Sequence, residues 1–190
     1  MGLRDRRRAA TRGALARAGM ELFLDRGFDH VPVEDIAAHA SVSRRTLFRY
    51  FPTKEAVFFH EHAERLATFR AGVMAQRDRL GTREAVVVGL LQIGRSYEDD
   101  PARALAFHDA LWASASLRSR DLILDAEWER CICALLAAEH GDALAAAIES
   151  GAIMGVVRAT LRHWFHGRAS FDLTDVGEGA LRWIVRGFQR

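Results

Sequence analysis

The sequence predicts an all-α fold in two parts, a small amino-terminal helical domain over residues 1–52 and a larger helical domain over residues 53–190. Apolar residues recur at intervals of three and four along most of the chain, which is the period of an α-helix, and no segment alternates as a strand does. Glycine, proline and capping residues divide this pattern into about nine helices. The hydrophobic content of 49% is sufficient for a substantial core.

The first three predicted helices form the small domain. The first covers residues 12–26, and Gly27 ends it. The second begins at Val33 and supports the third, which follows Ser43. The hydroxyl of Ser43 can accept a hydrogen bond from an amide of the first turn, so Ser43 is the expected amino-terminal cap.

The third helix has an apolar side and a basic side. At about 100° per residue, Leu47 and Phe51 share the inner side. Arg45 and Arg49 lie opposite, with Phe48 beside them. Guanidinium groups pair with phosphate or guanine, and aromatic side chains can contact a thymine methyl group, so this side suits DNA. An ordinary helical hairpin with a basic solvent face is the alternative.

A sequence motif coincides with this helix. Residues 43–54 read S-R-R-T-L-F-R-Y-F-P-T-K and resemble the S-x-x-T-L-Y-x-Y-F-x-S-K signature of TetR-family transcriptional regulators. Residues 22–28 and 33–37 are similar to that family too, and the resemblance covers about the first third of the chain. It implies a helix-turn-helix whose second helix lies in the major groove of DNA. It also implies that Tyr50 and Lys54 contact phosphates. The predicted DNA-binding residues are Ser43, Arg44, Arg45, Thr46, Phe48, Arg49, Tyr50 and Lys54.

Two positions depart from the family pattern. Ser41 stands where the family usually has glycine in the turn between the two helices, and Pro32 where it usually has a capping serine or threonine. A left-handed backbone at Ser41 costs some strain, because glycine alone adopts that conformation freely. Pro32 offers no side-chain cap to the supporting helix.

Six further helices are predicted in the larger domain. The first of them, over residues 54–79, is expected to cross from the small domain into the larger one as a single element and to transmit a packing change to the third helix. A plain linker helix is the alternative. The others cover residues 82–98, 102–112, 121–140, 142–166 and 173–188, and residues 114–120 are expected to form a loop or turn.

Aromatic side chains with a few polar groups are concentrated in the middle helices. Such a mixture can line a pocket for a small apolar ligand, although each of these residues taken alone is more often part of a core. The TetR resemblance implies an effector cavity in this region, and the mixture of aromatic and aliphatic side chains favours a hydrophobic or acyl effector. The predicted pocket residues are Phe59, His62, Phe69, Tyr97, Phe107, His108, Trp112 and Trp128.

The last two helices are expected to form a homodimer interface. One of them carries small residues four apart, so that another helix can approach closely, and the other has more large apolar groups than its own core can bury. Tight packing within one chain is the alternative for the small residues. The predicted interface residues are Gly151, Gly155, Ala159, Leu181, Trp183, Ile184 and Phe188.

Basic charge is concentrated at the amino terminus, although the net charge of the chain is only +2. Residues 1–50 contain 10 arginines and 6 acidic residues, whereas residues 51–190 have a small acidic excess. This asymmetry favours contact of the amino-terminal end with phosphate. The leading R-D-R-R-R run is interpreted either as a disordered arm that follows DNA or as a solubilising tail.

Several other classes of protein and site are disfavoured. The longest uncharged run, residues 85–94, is half the roughly 20 residues that a membrane-spanning helix requires, and no signal peptide is evident, so a cytoplasmic protein is expected. Cys131 and Cys133 are interpreted as reduced thiols, because residues two apart diverge on a helix. His163 and His166 could share a face, but a transition-metal site normally needs three protein ligands. Neither a metal nor a cofactor is predicted.

These patterns together favour a dimeric regulator that binds double-stranded operator DNA and responds to a small hydrophobic effector. Two alternatives remain open. A basic helical protein could bind nucleic acid without sequence preference. An all-helical enzyme could use His108 and Asp109 as an acid–base pair, although the common motifs for phosphate binding, nucleophilic catalysis and zinc catalysis are absent from the sequence.

Overall fold

The computed structural model describes residues 2–188 of the chain, and all regular structure within that range is helical. This confirms the predicted all-α class. A short 3₁₀ helix, Phe28–His30, follows the first of ten α-helices. The α-helices are α1 (Leu3–Arg26), α2 (Val33–His39), α3 (Arg44–Tyr50), α4 (Lys54–Phe58), α5 (His62–Leu80), α6 (Thr82–Glu98), α7 (Pro101–Ala113), α8 (Ala115–His140), α9 (Ala143–His166) and α10 (Leu173–Gly187).

The helices are grouped into two compact units. The first unit contains the chain up to His62 together with Ala106–Asp121, and the second unit contains Ala63–Leu105 together with the chain from Leu122 onward. The division expected from the sequence lies at residue 52. The observed first unit continues beyond that point and also includes the end of α7 and the start of α8, a segment about fifty residues farther along the chain.

The first unit has a single apolar core beneath α3. Leu15 of α1, Ile36 of α2 and Leu47 of α3 are fully buried in it, because each helix presents an apolar stripe of helical period to the other two. Leu111 and Leu117, which come from the later segment, are buried in the same core. The segment 106–121 is therefore an integral part of the packing of this unit.

Helix α1 begins nine residues before the predicted start at residue 12. The prediction relied on apolar residues, and none of the side chains at positions 4–10 is buried. Arginine and alanine are nevertheless good helix formers. The carboxylate of Asp5 accepts a hydrogen bond from the amide of Gly2 at 3.1 Å, which satisfies one free backbone donor at the start of the helix. Because the arginine run is helical, the first of its two interpretations, a disordered arm, does not describe it.

The single helix predicted over residues 54–79 is interrupted, and α4 and α5 are separate. Residues 59–61 form the turn between them. The guanidinium of Arg12 donates to the carbonyl oxygen of His60 at 3.0 Å, and the amide of His62 donates to the carbonyl oxygen of Phe59 three residues earlier. These bonds replace part of the helical ladder. A partner 48 positions away along the chain determines the break, and local periodicity does not reveal it.

The loop predicted over residues 114–120 is largely helical. Ser114 precedes α8, and its hydroxyl oxygen accepts a hydrogen bond from the amide of Leu117 at 3.4 Å. The same hydroxyl donates to the carboxylate of Asp29 at 2.8 Å. Ser114 is therefore both the cap of α8 and a polar contact within the first unit, and α8 begins at Ala115.

The second unit is built around α10, which packs on both α6 and α9. Leu173, Gly177, Leu181 and Val185 form the buried stripe of α10 at intervals of four residues. Of the interface residues predicted on this helix, Leu181 is therefore in the core, whereas Trp183 is 77% exposed. Ile184 and Phe188 are half-buried.

A buried ion pair joins α6 to α9. Glu149 is 1% exposed and accepts two hydrogen bonds from Arg83, at 2.6 Å from Nε and 3.0 Å from Nη2. This bidentate hydrogen bonding raises the pKa of Arg83. A carboxylate removed from water requires such a partner, since an unpaired buried charge costs several kcal/mol.

Helix α9 is long and apolar enough, by length and composition, to cross a membrane. Two features of the second unit account for this character. One side of α9, which includes Ile153 and Met154, is buried in the core, and the opposite side carries the exposed residues Leu144 and Ile148. Glu149 lies in the second turn of the same helix, paired with Arg83 of α6. This composition therefore fits a core helix with a second apolar surface.

Replacement of Glu149 by alanine should destabilise the fold by about 3 kcal/mol, because it leaves the guanidinium of Arg83, whose side chain is only 22% exposed, without its partner. Glu178→Ala is the control, since Glu178 forms a more exposed i,i+4 pair with Arg182, and its loss should cost less than about 1 kcal/mol. Urea denaturation followed by circular dichroism measures both values. Equal destabilisation by the two variants would contradict the assigned role of the buried pair.

Candidate nucleic-acid interface

The orientation of α3 is fixed at its start and along its inner side. The hydroxyl of Ser43 accepts a hydrogen bond from the amide of Thr46 at 3.1 Å, which confirms Ser43 as the cap. Leu47 and Phe51 are buried almost completely. The cap and the buried side together leave the opposite side of the helix in solvent.

The outward side of α3 is cationic and partly aromatic. Arg44, Arg45 and Arg49 are exposed, and Phe48 is 39% exposed. The guanidinium of Arg44 lies 5.5 Å from the ring centroid of Phe48, and that of Arg49 lies 5.3 Å from the ring of Tyr50. Stacking of this kind limits the directions in which the guanidinium forks can point. The surface can donate paired hydrogen bonds and offer an apolar ring edge.

Arg44 has a second contact, with the supporting helix. Its Nη1 lies 2.9 Å from the carboxylate of Glu34 on α2, and both side chains are more than half exposed. An exposed pair of this kind contributes little to stability. Its effect is to orient Arg44, whereas Arg45 and Arg49 are exposed on the side of α3 opposite the buried Leu47.

The turn between α2 and α3 follows a defined hydrogen-bonding pattern. The amide of Ser41 donates to the carbonyl of Ala38 at 2.9 Å, and the amide of Val42 donates to that of Ala37 at 2.8 Å. This is the Schellman pattern, and it places Ser41 in the left-handed region with φ of 54°. The expected strain at a non-glycine residue is therefore present, at about 1 kcal/mol. Pro32 provides no side-chain cap to α2, as predicted.

Lys54 is held inside the first unit. Its ammonium donates to the carbonyl oxygens of Phe28 at 2.8 Å and Val31 at 3.1 Å, and it lies 4.3 Å from the ring centroid of Phe28. These contacts fasten the end of the 3₁₀ helix to the start of α4. An ammonium has three donors, so a phosphate would have to use the third donor or displace one of these carbonyls.

Arg12 is a residue that the sequence reasoning missed. Its guanidinium lies 5.1 Å from the ring centroid of Phe51, at the end of α3, and also binds the carbonyl of His60. The available signal was its position three residues before the buried Leu15, on the inner side of α1. Arg12 therefore connects α1 to the carboxyl end of α3 and to the turn after α4.

The predicted pocket residues lie in both units. Within the first unit, the ring centroids of Phe59 and Phe107 are 6.1 Å apart, and both rings pack on Phe58. Within the second unit, the ring of Phe69 lies 5.3 Å from that of Trp128, and Tyr97 packs against Phe165 in a separate cluster. The other three predicted residues, His62, His108 and Trp112, belong to the first unit. Their joint role in a pocket remains a prediction.

Comparison with known proteins identifies the amino-terminal helices. The sequence profile described as bacterial regulatory proteins, tetR family, matches residues 15–60, which extend from α1 to the turn after α4. These helices are those of the TetR family. Over 56 residues, 30% of its length, the chain is 48% identical to the HTH-type transcriptional regulator TcmR of Streptomyces glaucescens, of which the match covers 25%. Over 97% of its length it is 26% identical to a putative mycofactocin biosynthesis transcriptional regulator, MftR, of Mycobacterium tuberculosis, of which the match covers 94%.

The similarity in fold covers nearly the whole chain. FadR of Thermus thermophilus, a TetR-family transcriptional repressor solved in complex with lauroyl-CoA, superimposes with a TM-score of 0.68 at 24% identity. The match covers 93% of this chain and 94% of FadR. The carboxyl-terminal helices, to which the short motif does not extend, therefore follow the same architecture.

Lys54→Ala should lower the melting temperature of the first unit, because two carbonyls lose a charged donor; hydrogen bonds to charged groups contribute about 1.5–3 kcal/mol. Lys54→Arg is a milder change that keeps a cationic donor. Differential scanning calorimetry of both variants provides the measurement. An unaltered melting temperature in Lys54→Ala, together with uniformly weaker DNA binding, would instead assign the ammonium to a phosphate.

Proposed function

We propose that this TetR-family transcriptional regulator is a sequence-specific repressor that binds a palindromic operator as a homodimer and is released by a small hydrophobic effector. The observation that supports DNA reading most directly is the outward side of α3. It presents exposed arginines and an aromatic ring on a helix whose cap and inner side are fixed. A helix side that faces only solvent has no need for an exposed phenylalanine among arginines.

Arg45 and Arg49 are the proposed base-reading residues. Both lie opposite the buried Leu47, and an arginine fork can donate to both acceptors of a guanine edge in the major groove. Phe48 and Thr46 can contact thymine methyl groups. Arg44, which pairs with Glu34, and Tyr50 at the end of the helix are proposed to contact the groove wall and the backbone, while Ser43 caps the helix close to the DNA.

A dimer is proposed because α9 and α10 each have a second apolar side. On α10 the buried stripe faces the core, whereas Val176 and Trp183 are exposed on another side of the helix at a spacing of seven. On α9 the exposed residues Leu144 and Ile148 lie on the same side of the helix as Gly155, at spacings of four and seven. A side chain added at Gly155 would meet nothing within 4 Å.

The open sides of α9 and α10 can be covered by the same surface of a second copy. The two helices pack on each other within the chain, so their open sides can form one continuous patch. Twofold pairing of a patch with itself is the commonest arrangement in homodimers. Gly155 and Ala159 would let the paired helices approach closely, and Trp183 would supply the large buried group. Such pairing presents two copies of α3 to half-sites about one helical turn apart on the duplex.

Residues 106–121 are the proposed route from effector to DNA. They pack in the first unit, where the ring of Phe107 stacks on Phe58 at 4.4 Å and Ser114 binds Asp29, while α7 and α8 each continue into the second unit. An effector that repacks the second unit would move this segment, alter the orientation of α3 and lower operator affinity. The complex of FadR with lauroyl-CoA supports a hydrophobic or acyl effector.

Arg45→Ala and Arg49→Ala should each weaken operator binding about tenfold or more, because each good paired contact to a base contributes about 1–3 kcal/mol. Their melting temperatures should change little, since both side chains are exposed. The measurement is fluorescence anisotropy with DNA from upstream of the protein's own gene beside a scrambled duplex, at two salt concentrations.

Arg130→Ala provides the matched control for these variants. It removes the same charge from an exposed position in the second unit, so its affinity for the operator should equal that of the wild type. If the Arg45 and Arg49 variants also bound as the wild type does, α3 would not be the reading helix. Wild-type binding that is equal on both duplexes and disappears with salt would favour the alternative of a non-specific nucleic-acid binder.

Trp183→Asp should convert the dimer to monomers at micromolar concentration, because it places a charge at the centre of the proposed interface. Leu122→Asp is the control, since Leu122 on α8 is 72% exposed, close to the 77% of Trp183, and lies outside the proposed patch. Sedimentation velocity measures the mass of each variant. A dimer that survives Trp183→Asp, or that dissociates in Leu122→Asp, would contradict this assignment.

A further inference from the structure

We propose that Arg4 and Arg8 form a basic strip on the first turns of α1 that binds the phosphates of DNA flanking the site read by α3. This inference rests on the proposed function and extends it, because it adds a second contact region and a longer binding site. The strip would contribute affinity that does not depend on base sequence. Arg12 anchors it to the carboxyl end of α3.

Helix geometry places the two arginines on one side of α1. Taken at 100° per residue, Arg4 and Arg8 lie within about 20° of the direction of Leu15, one on either side of it. Leu15 is buried in the core of the first unit, and Leu22, two turns farther along the same side, is buried there too. The side of α1 that packs on the core therefore carries arginines, in place of leucines, nearer the amino terminus. Beyond the edge of the core, the same side of the helix has no apolar partner.

The first turns of α1 make no buried contact. All side chains at positions 4–10 are exposed, and this stretch contains four arginines and a single acidic residue, Asp5, whose carboxylate binds the amide of Gly2. A helical extension with a polar surface all round adds nothing to the core. Its charge is complementary to a polyanion, and duplex DNA carries about one negative charge per 1.7 Å of its axis.

Arg12 determines where the strip begins. Its guanidinium lies over the ring of Phe51, the residue that directly follows α3, and binds the carbonyl of His60. With a rise of about 1.5 Å per residue, Arg8 and Arg4 lie about 6 and 12 Å farther along the axis of α1. The strip therefore starts beside the carboxyl end of α3 and continues for about 12 Å along α1.

The opposite side of the same turns offers a matched control. Arg6 lies about 180° from Leu15 around α1, is exposed like Arg8, and carries the same charge. Any effect of net charge alone should therefore be equal in Arg6→Ala and Arg8→Ala. An effect of a directed strip should appear in Arg8→Ala, be larger in the double variant Arg4→Ala with Arg8→Ala, and be absent from Arg6→Ala.

The test compares two duplexes that share one binding site. The site is selected from random duplexes with the wild-type protein, and it is then made either without flanks or with about eight extra base pairs on each side, a length sufficient for the reach of the strip at 3.4 Å per base pair. Fluorescence anisotropy gives the affinity for both duplexes over a range of salt concentrations. Circular dichroism melting checks that each variant is folded.

The wild type and Arg6→Ala should bind the flanked duplex about tenfold more tightly than the bare site at about 0.1 M salt. The double variant should lose this preference. Its salt dependence on the flanked duplex should also fall by about 3.6 units of slope, since the dimer loses four phosphate contacts and each of them accounts for about 0.9 units. On the bare site, the double variant and the wild type should bind alike.

Two contrary results are distinguishable. Selective binding of the chosen site by the wild type, with no gain from the flanks or with equal effects of Arg6→Ala and Arg8→Ala, overturns the strip and leaves the proposed function intact. Equal binding of the selected site and a scrambled duplex of the same length overturns the proposed function and the strip with it.

Discussion

The burial of Leu47 and Phe51 beneath α3 is the packing on which the rest of the first unit depends. Both side chains are almost fully removed from water, and burial of a large apolar side chain contributes about 1.5–3 kcal/mol. This packing sets the rotation of α3, and so determines that Arg45 and Arg49 face solvent. Arg12 covers the ring of Phe51 from outside, and Lys54 fastens the segment that precedes α2. Arg12 and Lys54, two cations of a basic amino-terminal region, thus stabilise the fold of the first unit.

Local signals predicted much of this structure. The cap at Ser43 and the left-handed turn at Ser41 follow from residues within a few positions of each, as does the start of α9 after Asp142, whose carboxylate accepts two hydrogen bonds from amides of the first turn. The break between α4 and α5 was missed because Arg12 supplies the hydrogen bond from far along the chain. The start of α8 was missed for a similar reason, because Ser114 is fixed by Asp29. Periodicity identifies buried sides, but it does not identify distant donors.

The candidate interface was predictable to a similar extent. The outward side of α3 could be derived from helical spacing around Leu47, and the structure places the arginines and Phe48 there. Spacing could not show that Arg44 pairs with Glu34, or that Lys54 binds two carbonyls. It also could not show that Phe107 of α7, one of the predicted pocket residues, packs against the core of the first unit. Helical spacing shows which side of a helix is buried, but not which neighbour buries it.

The discontinuous composition of the first unit has a consequence for the evolution of such regulators. Leu111 and Leu117 complete a core whose other buried members all precede residue 60. A recombination event that exchanged only the first sixty residues with a relative would bring in a core shaped for different residues at these two positions. The amino-terminal helices can therefore be exchanged freely only when the segment 106–121 is exchanged with them or already fits them. This requirement would couple the sequence of a mid-chain segment to that of α1, α2 and α3.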